Sequence, residues 1–159
     1  MTYFASFQCR KNKNLFRVQF VSYALYTTHL LLLGALTGGV SYVINCVRSL
    51  CLSSGNKFLK SEKTCVLLCL LQLAALFLTW DGWASLLPVA ANIASTVGGY
   101  TKNPRKIREV GMFVNSPLWI VYDVIVGSWA GILDEVVSEV SMIVSVIRFG
   151  RKNLDKTEE

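Results

Sequence analysis

Trp129–Phe149, W-A-G-I-L-D-E-V-V-S-E-V-S-M-I-V-S-V-I-R-F, decides how the rest of the chain is read. A helix of this length covers roughly 30 Å, the thickness of the hydrocarbon core of a bilayer. Yet it carries Asp134, Glu135 and Glu139 in the run. A carboxylate near the bilayer midplane costs about 2.5–3.5 kcal/mol on insertion scales, so such a group must face protein or water. The helix therefore requires other helices around it and a polar interior between them.

The remainder of the sequence has the composition to supply them. Apolar residues make up 53% of the 159 and charged residues 16%, which places the chain in the membrane class. The net charge of +6 invites a nucleic-acid reading, but the placement of the charge argues against one. All 16 Lys and Arg fall in four clusters, at 10–17, 48–63, 102–108 and 148–156. The alternate connections, G-A-L-T-G-G, W-D-G-W and G-S-W-A-G, have none. That alternation is the positive-inside pattern of helices crossing back and forth, and it puts the basic loops and the C-terminus in the cytoplasm. Cys9, Cys46, Cys51, Cys65 and Cys69 sit near that reduced side, so they read as small packing residues rather than disulfides. Cys65 and Cys69 share a helix face, but with only His29 elsewhere no metal set assembles.

Taken in order, residues 1–8 form an apolar stub too short to span, read as the tail of a helix whose start lies upstream. The basic residues before the apolar run imitate a signal peptide, but the run from Val18 to Leu36 is too long for one, and the segment reads as a retained helix. Six spans are expected, at Leu15–Leu33, Gly39–Leu52, Thr64–Thr79, Ala84–Tyr100, Val110–Val126 and Trp129–Phe149. The G-A-L-T-G-G segment is expected to reverse the chain, and Pro88 to kink the fourth span. Trp80, Trp83 and Trp129 suit the interfacial aromatic belt.

Shifting the chain by 93 residues lays Phe20 on Phe113, Tyr26 on Trp119, His29 on Tyr122, Gly34 on Gly127 and Gly38 on Gly131. These matches imply two parallel three-helix units in a 3+1+3 layout: 1–53, with its first helix truncated, then a linker helix at 54–83, then 84–149, with a charged tail at 150–159. The glycines at 34, 38, 127 and 131 read as turn residues.

Polar residues then recur on helix faces. Ser41, Asn45 and Arg48 form a stripe on the second span, and Asn92 joins Ser85, Pro88, Ser95 and Gly99 on the fourth. Ser22, Tyr26 and His29 correspond to Asn115, Trp119 and Tyr122 under the repeat, with Asp123 adjacent. Equal depth predicts an ion pair between Arg48 and Glu139 or Glu135. His29, Asn45, Arg48, Pro88, Asn92, Asn115, Trp119, Asp123, Asp134, Glu135 and Glu139 are thus the candidates for a solvated cavity or ion pair. The bland reading of each is an interhelical hydrogen bond or packing contact worth roughly 0.6–2 kcal/mol. No nucleophile elbow, P-loop, zinc-helix signature or dinucleotide fingerprint occurs, so an enzyme is not expected, nor a cofactor or metal.

H-L-L-L-L-G-A-L-T-G-G, I-N-C-V-R-S-L, S-L-L-P-V-A-A-N-I-A-S-T and V-I-R-F-G-R, in that order, resemble the bacterial inner-membrane YgjV family over nearly the whole chain. The resemblance implies an inner-membrane location and makes His29, Asn45, Arg48, Pro88 and Glu135 family-type positions. The layout also resembles PQ-loop and SWEET transporters, although the glutamine that follows their proline is Val89 here. The sequence thus leads to an all-α polytopic bundle. Its expected role is a small-solute transporter with a central polar cavity lined by every span but the third. The alternative is a non-transporting interaction or assembly protein. The bilayer and a small-molecule substrate are the expected partners.

Overall fold

The computed structural model describes residues 12–149, so the N-terminal stub with Cys9, Arg10 and Lys11, and the tail from Gly150, lie outside the described residues. Those residues form an all-helical bundle: α1 (Asn12–Leu32), α2 (Leu36–Ser53), α3 (Glu62–Leu78), α4 (Leu86–Tyr100), α5 (Pro104–Val126) and α6 (Trp129–Phe149). A 3₁₀ turn, Trp83–Ser85, leads into α4, and α5 contains a π-helical segment, Gly111–Asn115. Turns 33–35, 79–85 and 127–128 gather at one end of the bundle, and the basic connections 54–61 and 101–103 at the other.

Local chemistry sets the ends. Ser61 Oγ accepts from Thr64 N–H at 3.4 Å to cap α3, and Asn103 Oδ1 accepts from Arg105 N–H at 2.9 Å to cap α5, with Pro104 in its first turn. Helices α1 and α5 end alike. Gly34 (φ 78°) and Gly127 (φ 74°) adopt the left-handed conformation. Ala35 N–H donates to Leu30 C=O at 3.0 Å and Ser128 N–H to Asp123 C=O at 2.8 Å, each helix closing in a Schellman motif. The likeness extends into the helices that come next. Gly38 lies so close to Leu30 that an added Cβ would come within 3.1 Å of it, and a Cβ on Gly131 would collide with the Asp123 carboxylate. Leu30 and Asp123 therefore occupy matching places in the two turns.

Three expectations are corrected. The reversal after α1 is only Leu33-Gly34-Ala35; Gly38 and Gly131 are helical, and their missing side chains serve close packing. Pro88 does not kink α4: it is the third residue, within the first turn, where helix N–H groups lack intrahelical partners anyway. And α5 starts at Pro104 and is broken by the π segment, in which Ser116 N–H reaches back to Gly111 C=O. Pro117 explains the widening: it has no N–H, and its ring would press on the carbonyl four residues earlier.

Side chains are distributed in the reverse of a water-soluble protein. Leu25, Leu32, Phe77, Leu78, Val124 and Ile147 are among many large apolar groups on the outside. Inside, buried polar and charged residues outnumber buried hydrophobic ones among those described. By length and hydropathy alone, one described helix, Pro104–Val126, 23 residues long, suffices to cross a membrane. α3 and α4 have 17 and 15 residues, and α6, though 21 residues long, carries three acids and Arg148.

Candidate functional site

A small cavity of ≈ 20 Å³ sits where α1, α2, α4 and α5 meet. Its polar lining is Gln19 and Tyr23 from α1, Arg48 from α2, Ser95 from α4 and Asn115 from α5. Phe16, Ile107 and Gly111 complete it. The π segment ends at Asn115, which accepts a 2.7 Å hydrogen bond from Ser95 Oγ. Arg48 is 3% exposed, and its Nη2 donates to the Tyr23 hydroxyl at 2.9 Å. Its Nε and Nη1 have no partner. The cavity lies toward the basic end, since Arg48 is in the last third of α2, which ends at Ser53.

Above the cavity, toward the turn end, the bundle is filled by rings. Tyr42 lies 4.4 Å from Trp119 and 5.1 Å from Tyr26 between ring centroids, and Trp119 meets Tyr122 edge-on at 5.6 Å. Beyond them, polar contacts tie the turns together. Tyr122 Oη accepts from Gly38 N–H at 3.1 Å, His29 Nε2 bonds Ser128 Oγ at 3.0 Å, and Thr37 donates to Thr79 C=O and lies 3.2 Å from Ser85 Oγ. Asn45 Nδ2 donates to Asn92 Oδ1 at 2.7 Å, and Gln72 Nε2 to Ser41 C=O at 3.3 Å.

The acids form a second group, between α5 and α6. Asp123 is 0% and Glu135 2% exposed, while Asp134 and Glu139 are half-buried. Asp123, Asp134 and Glu139 all lie near enough to Glu135 to repel charge on it. Both Asp123 side-chain oxygens and Glu135 Oε2 lack a hydrogen bond. The Ser116 hydroxyl stands beside Glu135 and Glu139 without completing a bond of normal geometry.

The expected pairing of Arg48 with Glu135 or Glu139 does not form. α6 packs on α5 rather than on α2, so matched depth does not bring the groups together. Nor does α6 line the cavity, which four helices build rather than the five expected. Of the sequence candidates, Arg48 and Asn115 reach the cavity; Asn45 and Asn92 bond each other, His29 and Trp119 belong to the layers above, and Pro88 is buried in the first turn of α4. Gln19 and Tyr23 are cavity residues outside the sequence candidates, although their i, i+4 spacing on α1 carries the signal. Arg108 is a buried cation outside the sequence candidates and outside the cavity lining; it is fully buried, with Nε donating to Ser145 Oγ at 2.7 Å and Nη1 to Pro104 C=O at 2.9 Å.

An apolar exterior around buried ionisable groups is what a bilayer demands, and the family comparison agrees. The family model Imp-YgjV, described as bacterial inner membrane protein, matches residues 1–153. The chain belongs to this family. Neither a curated protein nor a solved structure matches it. Membership in Imp-YgjV places the chain in the bacterial inner membrane, a setting that suits exposed Leu32, Phe77 and Leu78. For an Imp-YgjV protein, buried ionisable groups of this kind are costly to place.

Proposed function

We propose that this Imp-YgjV protein is a multi-pass small-solute transporter whose solute occupies the cavity between α1, α2, α4 and α5. In this reading all six helices cross the membrane, the basic loops are cytoplasmic, and no catalysis occurs. The observation that carries it is the set of ionisable side chains, Arg48, Asp123 and Glu135, buried in a membrane protein with unpartnered polar atoms. Groups placed at such cost mark pathways for solutes or protons more often than packing sites. The 3+1+3 layout is part of the proposal. It is supported by the paired Schellman ends at Gly34 and Gly127 and by the matching contacts of Gly38 with Leu30 and Gly131 with Asp123. The aromatic layer and the polar ties above it fit a state closed toward the turn end.

A second reading, an assembly or interaction protein with buried polar groups that only fix packing, is favoured by the mutual pairing of Asn45 with Asn92 and Ser95 with Asn115. Uptake into proteoliposomes separates the two. Saturable entry of at least one small solute is expected, together with thiol labelling of cysteines placed at Asn45, Asn92 or Glu139. No uptake across a broad panel, with no labelling from either side, would overturn transport in favour of packing.

A further inference from the structure

The geometry points to a small anion, the size of a halide or the head of a monocarboxylate, as the ligand of the Arg48 cavity. That the bound anion is also carried across the membrane rests on the transporter reading; the binding itself does not. Arginine offers five N–H donors, and three of them are on Nε and Nη1, which have no acceptor. The Nη2 bond to Tyr23 and the ring of Tyr23, 5.6 Å from Cζ, hold the guanidinium in place without neutralising it. Among the described residues no carboxylate pairs with Arg48. Glu109 is taken by Arg105 at 2.8 Å, Asp123 and Glu135 sit in the acid group between α5 and α6, and Asp81 is in a turn at the far end.

The rest of the lining suits an anion too. Ser95 donates to Asn115 Oδ1, which leaves the Asn115 amide N–H₂ as a donor. Gln19 Oε1 is the one orphaned acceptor in the lining, and a half-turn of its amide presents Nε2 instead. A volume of ≈ 20 Å³ admits about one water-sized group, which a chloride ion or carboxylate head matches and a sugar ring does not. Lys57, Lys60, Lys102 and Lys106 stand at this end of the bundle and raise the local concentration of anions.

The test is thermal unfolding of the purified full chain in detergent, titrated with sodium chloride, bromide or acetate and balanced with the sodium salt of a bulky sulfonate buffer at constant ionic strength. A saturable rise in Tm with chloride or acetate is expected. Arg48→Gln should weaken it by more than about tenfold, and Arg48→Lys by about three- to tenfold, since lysine keeps the charge but loses the fork. Asn115→Asp keeps the test decisive if Arg48→Gln does not fold. It puts an internal carboxylate beside Arg48, so Tm without anion should rise and the anion-induced shift should vanish. The inference is overturned if none of the three anions shifts the wild-type Tm, or if a folded Arg48→Gln or Asn115→Asp protein responds as the wild type does. Anion binding without flux in proteoliposomes would defeat the transporter reading and leave this one standing; flux of neutral solutes without anion binding would do the opposite.

Discussion

A buried carboxylate with an orphaned oxygen works against the fold that contains it, and Glu135 is the clearest case. Its Oε2 has no hydrogen bond, three other acids lie close by, and the Ser116 hydroxyl beside it completes no bond. The isosteric amide removes the ionisable group without changing the volume. Glu135→Gln should therefore raise stability by about 1 kcal/mol, read as a higher Tm in detergent, while abolishing solute uptake. A lower Tm with uptake intact would show that the carboxylate is structural. The burial of Arg48, Asp123 and Glu135 is legible in the sequence, because charges on such apolar helices cannot stay in lipid. Their partners are not. Depth along a helix can be counted in residues; which helix stands next to which is a tertiary fact, and α6 packs on α5 rather than on α2.

Helices and their turns are legible for a related reason: basic clusters, tryptophans and the glycines at 34 and 127 mark ends directly. The interruption of α5 is not, because Pro117 falls inside an apolar run that reads as one continuous span. Its consequence reaches the cavity. A π turn adds a residue and rotates the helix on its near side, and the segment ends at Asn115. Pro117→Ala lets α5 return to regular helix and turns the lining residues on its inner half by about 100°. The chain should still fold, since Pro117 is exposed, yet anion binding at the cavity should fall by about tenfold or more, measured by the same Tm titration. Unchanged binding would mean that the proline does not set the register. Helix packing at the turn end is equally specific. A Cβ at Gly38 would meet Tyr122 Cε1 at 2.7 Å and its hydroxyl at 2.9 Å. Gly38→Ala should cost about 1–3 kcal/mol through overpacking, seen as a lower Tm. Tyr122→Phe loses the bond from Gly38 N–H and should cost about 0.6–2 kcal/mol by the same measurement.

At the scale of the whole molecule the two ends differ in kind, and the difference predicts an orientation that labelling can check. The turn end carries exposed Trp80, Trp83 and Trp129 and no lysine or arginine in its connections. The opposite end carries Lys57, Lys60, Lys63, Lys102, Arg105 and Lys106. Basic loops resist translocation, while the amphipathic rings of tryptophan anchor at the headgroups. With the native cysteines replaced, a cysteine at Asp81 should react with a membrane-impermeant maleimide in intact spheroplasts. One at Lys57 should react only in inverted vesicles. The contrast bears on more than orientation. If the turn end faces out, the aromatic layer closes the molecule toward the periplasm, and the Arg48 cavity lies on the cytoplasmic side of that layer. A thiol-reactive anion should then reach a cysteine at Ser95 from the cytoplasmic side and not from the outside. The reverse pattern at Asp81 and Lys57 would invert the molecule and put the same cavity on the periplasmic side. Labelling of Lys57 and Asp81 from one side would mean that α3 does not cross at all.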